Sequence, residues 1–267
     1  MERSRRSFLK VAGISALGAG AVGTGPVLDA LAAGGGHGGG ETKTIRMMPA
    51  ENALQANRWG MVIDTRKLKS RRDVAPLIEA CHKAHNVPEM PNKNHEIKWI
   101  WETEFKHAFP GKESPHLNEA AEHAPFLVLC NQCDNPPCVQ ACPTKSTFQA
   151  DNGIVMMDFH RCIGCRFCMA ACPFGARSFN FQDPEPFIPE VNKKFPRRCK
   201  GVVEKCNFCA ERLAEGKMPA CVAASDGALI FGDLDDPHSE IREALRENFT
   251  IRRKQTLGTE PSVYYIV

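Results

Sequence analysis

Residues 162–173 read Cys162-Ile163-Gly164-Cys165-Arg166-Phe167-Cys168-Met169-Ala170-Ala171-Cys172-Pro173. Three cysteines separated by two residues each, a fourth after three more, and then proline form a spacing with a geometric reason. Three thiolates on one tightly curved loop each meet a different iron of one cubane. The fourth has turned away by then, and proline, with its fixed φ and no N–H, holds the exit turn. That fourth cysteine points at a second cubane. Upstream, Cys130-x2-Cys133-x4-Cys138-x3-Cys142-Pro143 follows the same logic. Placed head to tail, the two runs predict a two-cluster unit. Cys130, Cys133, Cys138 and Cys172 hold one [4Fe-4S] cluster, and Cys162, Cys165, Cys168 and Cys142 hold the other. Structural zinc takes two cysteine pairs per ion, and a disulfide framework is the other common use of many cysteines in an exported chain. Triads with a detached fourth cysteine fit neither.

A third set is incomplete in place. Cys206, Cys209 and Cys221 lack a fourth partner nearby, because Ser225 stands where the x3 spacing calls for cysteine. Upstream, Gly60-Met61-Val62-Ile63-Asp64 echoes Gly153-Ile154-Val155-Met156-Met157-Asp158, the strand-like lead into the 162–172 run. Where Cys162 follows Asp158, Leu68 follows Asp64; the stretch Arg66 to Ile78 has no cysteine, and then Cys81 appears. Loss of one whole cluster from a crossed pair removes three ligands from one motif and one from the other, which is this pattern. The surviving set is Cys206, Cys209, Cys221 and Cys81. Three [4Fe-4S] clusters therefore use twelve of the 13 cysteines. Cys199, in Arg197-Arg198-Cys199-Lys200, reads as a free thiol, with a role in place of Cys81 left open; its basic neighbours favour the thiolate.

The expected fold class is α+β with much irregular structure: tandem ferredoxin-like [4Fe-4S] modules, one of them degenerate. Residues 124–182 form the two-cluster module. Residues 55–90 and 195–235 fold together as the degenerate module with one cluster, and the proline-rich stretch Asp183 to Pro196 links the modules. Asp73 to His85 reads as a short helix carrying Cys81. Cys206 to Gly216 starts with ligands and continues as a helix with Glu211 and Arg212 on its exposed side. The insertion 91–123 carries His95, His107, His116 and His123 with Trp99 and Trp101. Without an H-x3-H pattern these histidines read as solvated or partner-facing. Residues 236–267 are expected to be a docking tail.

These residues resemble the iron–sulfur subunits of exported oxidoreductases, such as the dimethyl sulfoxide, polysulfide and nitrite reductase systems. The resemblance rests on Trp59 to Asp64, Cys130-Asn131-Gln132-Cys133-Asp134-Asn135-Pro136-Pro137-Cys138, Lys205-Cys206-Asn207-Phe208-Cys209, Pro219-Ala220-Cys221 and Phe231-Gly232-Asp233-Leu234. The missing cluster is the departure. With Glu96 to Glu102 and Gly258 to Tyr265, it points to the branch of DsrO and the Hme-type menaquinol oxidoreductase subunits. That resemblance implies a relay in a DsrMKJOP-like complex of sulfur metabolism. Its implied partners are an NrfD-type quinone-interacting membrane subunit (DsrP-like) and a multihaem cytochrome c (DsrJ-like). The other reading is the electron-transfer subunit of a periplasmic molybdopterin or nitrite reductase.

The amino terminus bears on the compartment. Ser4-Arg5-Arg6-Ser7-Phe8-Leu9-Lys10 has the paired arginines of a twin-arginine export signal. A mildly apolar, glycine-interrupted run from Val11 to Leu28 and a small-residue site at Ala30-Leu31-Ala32 read as a cleavable signal over residues 1–33, with an uncleaved anchor helix as the other reading. Gly34 to Gly40 opens a flexible tether, residues 34–54. The twin-arginine route carries folded proteins, so export after cluster insertion reconciles many free thiols with an oxidising compartment. The expected location is the periplasmic face of the membrane. Charge is nearly balanced, with 34 basic and 31 acidic side chains, and gives nucleic acid no footprint. Phosphate loops, nucleophile elbows and a C-x2-C-H haem site are absent, so no substrate chemistry is visible and no catalytic residue is assigned.

Overall fold

The structure, a computed structural model, describes residues 50–111, 116 and 125–267. The export signal expected at 1–33, most of the tether, and His123 in the insertion lie outside the described residues. Strand β1 (Trp59–Asp64) is buried along its whole length. Side chains alternate across a strand, so it serves two cores at once. Trp59, Met61 and Ile63 join the large core that contains the cysteines, while Val62 packs with Leu234, Ile241 and Ile266 on the other face. β1 therefore reads as a near-continuous apolar run, as a strand covered on both faces must.

Helix α1 (Arg71–His85) begins at Ser70, whose backbone and hydroxyl both donate to Asp73 Oδ2 at 2.8 and 2.9 Å, a capping box. Its buried residues Val74, Leu77, Cys81 and His85 recur at three- and four-residue intervals and define one inward stripe. Asn86 ends the helix in the left-handed conformation (φ 52°). The buried Asn86 amide donates to the carbonyls of Asn192 and Phe195 and accepts from Asn192 N. The proline-rich stretch is thereby fastened to the end of α1.

Short strands pair locally around the cysteine loops. β2 (Ile100–Thr103) runs antiparallel to β3 (Phe126–Leu129), and β4 (Thr147–Gln149) to β5 (Val155–Met157). β6 (Ser178–Phe179) runs antiparallel to β7 (Val203–Glu204). Helices α2 (Pro137–Gln140) and α3 (Phe167–Ala171) follow two of the cysteine loops and pack on each other. Helices α4 (Ala210–Ala214) and α5 (Ala220–Ala223) flank the third set, and α1 packs on α5.

The main sheet has the order β8-β1-β10-β9. β8 (Leu229–Asp233) lies antiparallel to β1, with Phe231 opposite Met61, and β10 (Val263–Ile266) lies parallel to it, with Val263 opposite Met61. β9 (Thr250–Ile251) pairs with β10, and helix α6 (Glu240–Glu247) covers β8 and β1. Residues 236–267, expected as a docking tail, thus supply two strands and a covering helix to the central sheet.

Asp233, at the end of β8, holds the entry to β1. Its carboxylate accepts from the backbone N–H groups of Asn57 (2.8 Å), Arg58 (3.0 Å) and Asp235 (2.9 Å). Burial pushes its pKa up, but these donors outweigh that effect and hold it below the ordinary carboxylate value. A depressed folded value makes this stabilisation fully present above the unfolded value near about 3.9 and lost as pH falls through the folded one. Asp233→Ala should therefore lower stability by about 1–3 kcal/mol at neutral pH. Denaturant midpoints should show that difference shrinking once the parent carboxylate is protonated.

Candidate iron–sulfur sites

β3 delivers Cys130 to the first site. The loop that follows puts Gln132 in the left-handed region (φ 43°), and Pro136-Pro137 starts α2, which carries Cys138. Cys172 arrives from elsewhere, as the cap residue at the end of α3. Cys130, Cys133, Cys138 and Cys172 line one small cavity together with Arg177. The Cys133 thiol is pushed up to about 12, first by burial and then by Cys130, with Cys138 and Cys172 adding to it against a hydrogen bond from Thr259. Four thiols that desolvate and repel one another bind a cation readily, because ligation removes the protons they hold against water.

The second site lies on the loop 162–168. Cys168 is buried and neighbours Cys162 and Cys138, while Cys165 is exposed. Gly164 (φ 69°) is required here. A Cβ on it would lie 2.5 Å from the carbonyl oxygen of Gly201, so the loop rests directly on the 199–201 backbone. Cys142 follows α2 as Cys172 follows α3, and the two helices pack on each other. The Cys142 sulfur accepts from Thr147 N at 3.5 Å and lies 3.7 Å from the Thr144 hydroxyl. Burial works to raise its pKa, but the donors of this loop hold it below the ordinary thiol value.

The third site draws on the most distant parts of the chain. Cys206, Cys209 and Cys221 are buried around α4 and α5, and the packing of α1 on α5 brings in Cys81. Burial pushes the Cys81 thiol well above its ordinary value, and its neighbours Cys221, Cys206 and Cys209 push it further. Backbone N–H groups aim at these sulfurs: Phe208 N at Cys206 (3.5 Å) and Ala220 N at Cys209 (3.4 Å). Phe208 and Cys209 both occupy the left-handed region, and the Cys209 amide donates to Asn207 Oδ1 at 2.9 Å.

His85 buttresses the Cys81 side. Its Nδ1 lies 2.8 Å from the Cys81 carbonyl oxygen and 3.6 Å from the sulfur, its Nε2 lies 2.8 Å from Glu211 Oε1, and its ring stacks on Trp99. Glu211 also accepts from Asn207. Sequence reasoning expected Glu211 on the exposed side of its helix; the buried imidazole draws it inward instead. Burial opposes ionisation of that carboxyl, yet His85 and Asn207 together hold its pKa below the ordinary value.

The three sites form a line. Cys206 neighbours Cys130, linking the third site to the first, and Cys138 neighbours Cys168, linking the first to the second. Two buried cations sit in the gaps, and neither was singled out from the sequence for a role. Lys205 donates to the carbonyl oxygens of Val155 and Cys206. Arg177 lies between Cys138 and Cys168 and donates to the Thr147 hydroxyl at 3.2 Å. Its Nη2 is buried with no oxygen or nitrogen acceptor. A donor left unpaired at such a position costs stability unless something accepts its hydrogen bond, and sulfide or thiolate sulfur of a bound cluster would be a fitting acceptor. Sequence gives a weak sign of both cations, since a lone Lys or Arg beside a cysteine run is ordinary on a surface.

Leu68 and Ser225 border one surface depression at the far end of this line. Leu68 is buried, and the Ser225 hydroxyl donates to Val222 O and accepts from Leu229 N. Cys199 is exposed on the loop that meets Gly164.

Residues 123–185 match the 4Fe-4S dicluster domain. The Hdr-like menaquinol oxidoreductase iron-sulfur subunit 1 of Archaeoglobus fulgidus is 39% identical over 98% of this chain and 97% of its own. The chain belongs to this family of iron–sulfur subunits. Other members of the family include the menaquinone reductase iron-sulfur cluster-binding subunit of Nitratidesulfovibrio vulgaris, 34% identical over 78% of this chain and 88% of its own. Protein NrfC of Escherichia coli K12 is 35% identical over 78% and 80%. As a member of the family, the chain is an electron-transfer subunit that binds iron–sulfur clusters, and its mixed α and β structure is built around the cysteine loops.

Proposed function

We propose that this subunit is a three-cluster relay, exported by the twin-arginine route to the periplasmic face of the membrane. It passes electrons between an NrfD-type, menaquinol-interacting membrane subunit (DsrP-like) and a multihaem cytochrome c (DsrJ-like) in a DsrMKJOP-like sulfur-metabolism complex. The ligands in this reading are Cys130, Cys133, Cys138 and Cys172; Cys162, Cys165, Cys168 and Cys142; and Cys206, Cys209, Cys221 and Cys81. When bound, a [4Fe-4S] cluster supplies reversible one-electron storage without bond rearrangement.

The single observation that supports it best is the meeting of Cys81 with Cys206, Cys209 and Cys221 across the fold. Three buried sulfur neighbours around a lone helical cysteine are what a shared ligand set would give. The common depression at Leu68 and Ser225 supports the loss of a fourth cluster as one event. The chain's own residues do the tuning: Lys205 and Arg177 favour added negative charge in the gaps, and amides aimed at the Cys206 and Cys209 sulfurs stabilise the thiolates. No helix among the described residues is long and apolar enough to cross a membrane, and the reading places membrane attachment in a partner or in an uncleaved signal.

The test is iron and acid-labile sulfide on anaerobically purified protein, followed by electron paramagnetic resonance of membranes treated with a menaquinol analogue. The reading expects about twelve irons per chain and reduction of the subunit's centres by the quinol. About eight or sixteen irons would overturn the ligand sets, and centres that ignore the quinol would overturn the relay.

A further inference from the structure

Among the twelve cysteines assigned to the three sites, Cys165 is the one exposed at the surface. It stands at the end of the line, where the second site has no further cysteine set beyond it. Two large apolar side chains flank it in sequence and stand open to solvent: Ile163 is 67% exposed and Phe167 60%. Covering them would remove apolar surface from water, which favours association. Apolar side chains left out at the mouth of a redox site are what a partner covers.

The rim of this patch is basic. Arg166, next to Cys165, is exposed and lies over the rings of Phe179 and Phe181. Exposed Lys200 is brought alongside by the contact between Gly164 and Gly201. Arg161 and His160 are exposed on the approach to Cys162, and the carboxylate of that segment, Asp158, is engaged by both at 3.2 and 3.7 Å. An apolar centre around an exposed ligand with a cationic rim attracts an anionic partner and repels a cationic one. A second copy of this chain would bring the same positive rim and is disfavoured on that ground. An anionic lipid surface matches the charge but offers no electron acceptor opposite Cys165.

We propose that the surface around Cys165, with Ile163 and Phe167 at its centre and Arg166 and Lys200 on its rim, docks a one-electron carrier protein whose cofactor edge is ringed by carboxylates. The proposal rests on the relay reading, in which Cys165 is a ligand. With a c-type cytochrome as carrier, each productive encounter takes one electron from the reduced chain and converts haem iron(III) to iron(II), with no bond made or broken.

The experiment measures binding of the intact, cluster-loaded subunit by isothermal titration to two purified c-type cytochromes, one with a carboxylate-ringed haem edge and one with a lysine-ringed edge. The parent should bind the first, and its dissociation constant should rise about tenfold when salt goes from about 0.01 to about 0.15 M. Lys200→Glu lies outside the ligand loop and should weaken binding by about tenfold, Arg166→Glu by at least as much, and Ile163→Ser with Phe167→Ser should weaken it at both salt concentrations. Iron content and the resonance spectrum of each variant are read alongside. Unchanged spectra with lost binding support the docking face. Spectra that lose no centre when Cys165 itself is replaced by Ser would sink the ligand reading on which it rests. Equal affinity for the two cytochromes, unchanged affinity of Lys200→Glu, or binding only to phosphatidylglycerol vesicles would overturn the docking proposal while leaving the relay reading intact.

Discussion

Replacing Cys81 by alanine should lower the iron content of the purified subunit from about twelve to about eight per chain and leave two cluster signals unchanged. The size of the effect follows from where the sulfur sits. Cys81 is buried, and Cys221, Cys206 and Cys209 are the cysteines that act on it most strongly. A cubane with three protein ligands needs a fourth donor for its last iron. The nearest candidates are His85, whose Nδ1 lies 3.6 Å from the Cys81 sulfur, and Glu211, but each is already engaged with the other. Serine at position 81 should retain part of the iron, since a hydroxyl is a poorer donor at the same place. Full retention of twelve irons in Cys81→Ala, with a changed spectrum only in Cys199→Ala, would transfer the fourth role to Cys199. Against that stands the exposed position of Cys199, on the loop under Gly164.

How much of this was legible in the sequence differs sharply between the cysteines and everything else. Their spacing announces clusters because cubane geometry leaves few solutions for three thiolates on one loop. The strand at Trp59–Asp64 was legible as an echo of residues 153–158, and so was the helix carrying Cys81, although it begins at Arg71, two residues before the expected start. The role of residues 236–267 was not legible. β10 pairs in parallel with β1 across almost the whole chain, and pairing between distant strands leaves no local signature beyond a short apolar run such as Val263–Ile266. His85 and Glu211 escaped for a related reason: a histidine four residues past a cysteine on one helix, and a glutamate two residues past a cysteine on another, acquire meaning only when the helices meet. Trp99 was grouped with surface histidines of an insertion, yet it is buried among Phe195, His85 and Arg198.

That buried tryptophan leads to the largest stability effect expected in the molecule. Glu204→Ala should destabilise the loaded subunit by about 3–5 kcal/mol and release iron from the third site before the other two. Glu204 and Arg198 form an ion pair at 2.8 Å with both side chains fully buried. The glutamate also accepts from Trp99 Nε1 at 2.9 Å and from Asn180 Nδ2 at 2.6 Å. Arg198 donates onward to the carbonyl oxygens of Asn86 and Pro196. The pair therefore joins the end of α1, the insertion, β6, the proline-rich stretch and β7. Desolvating two charges offsets most of what their attraction gains, so the intact pair adds little by itself. Removing one partner is different, because the guanidinium of Arg198 is left charged and unpaired in the core. The damage has a direction. Trp99 loses its anchor and with it the ring against which His85 stacks, which loosens Cys81; β7 loses the contact two residues before Cys206. Both halves of the third cysteine set thus relax together, while the α2 and α3 loops keep their own packing. Urea midpoints and iron retention as a function of denaturant are the measurements. The double variant Glu204→Leu with Arg198→Met should recover a substantial part of the lost stability, since it removes the stranded charge along with its partner. A single Glu204→Ala variant with the parent's midpoint, or one that loses the second site first, would show that the ion pair does not brace the Cys81 cluster.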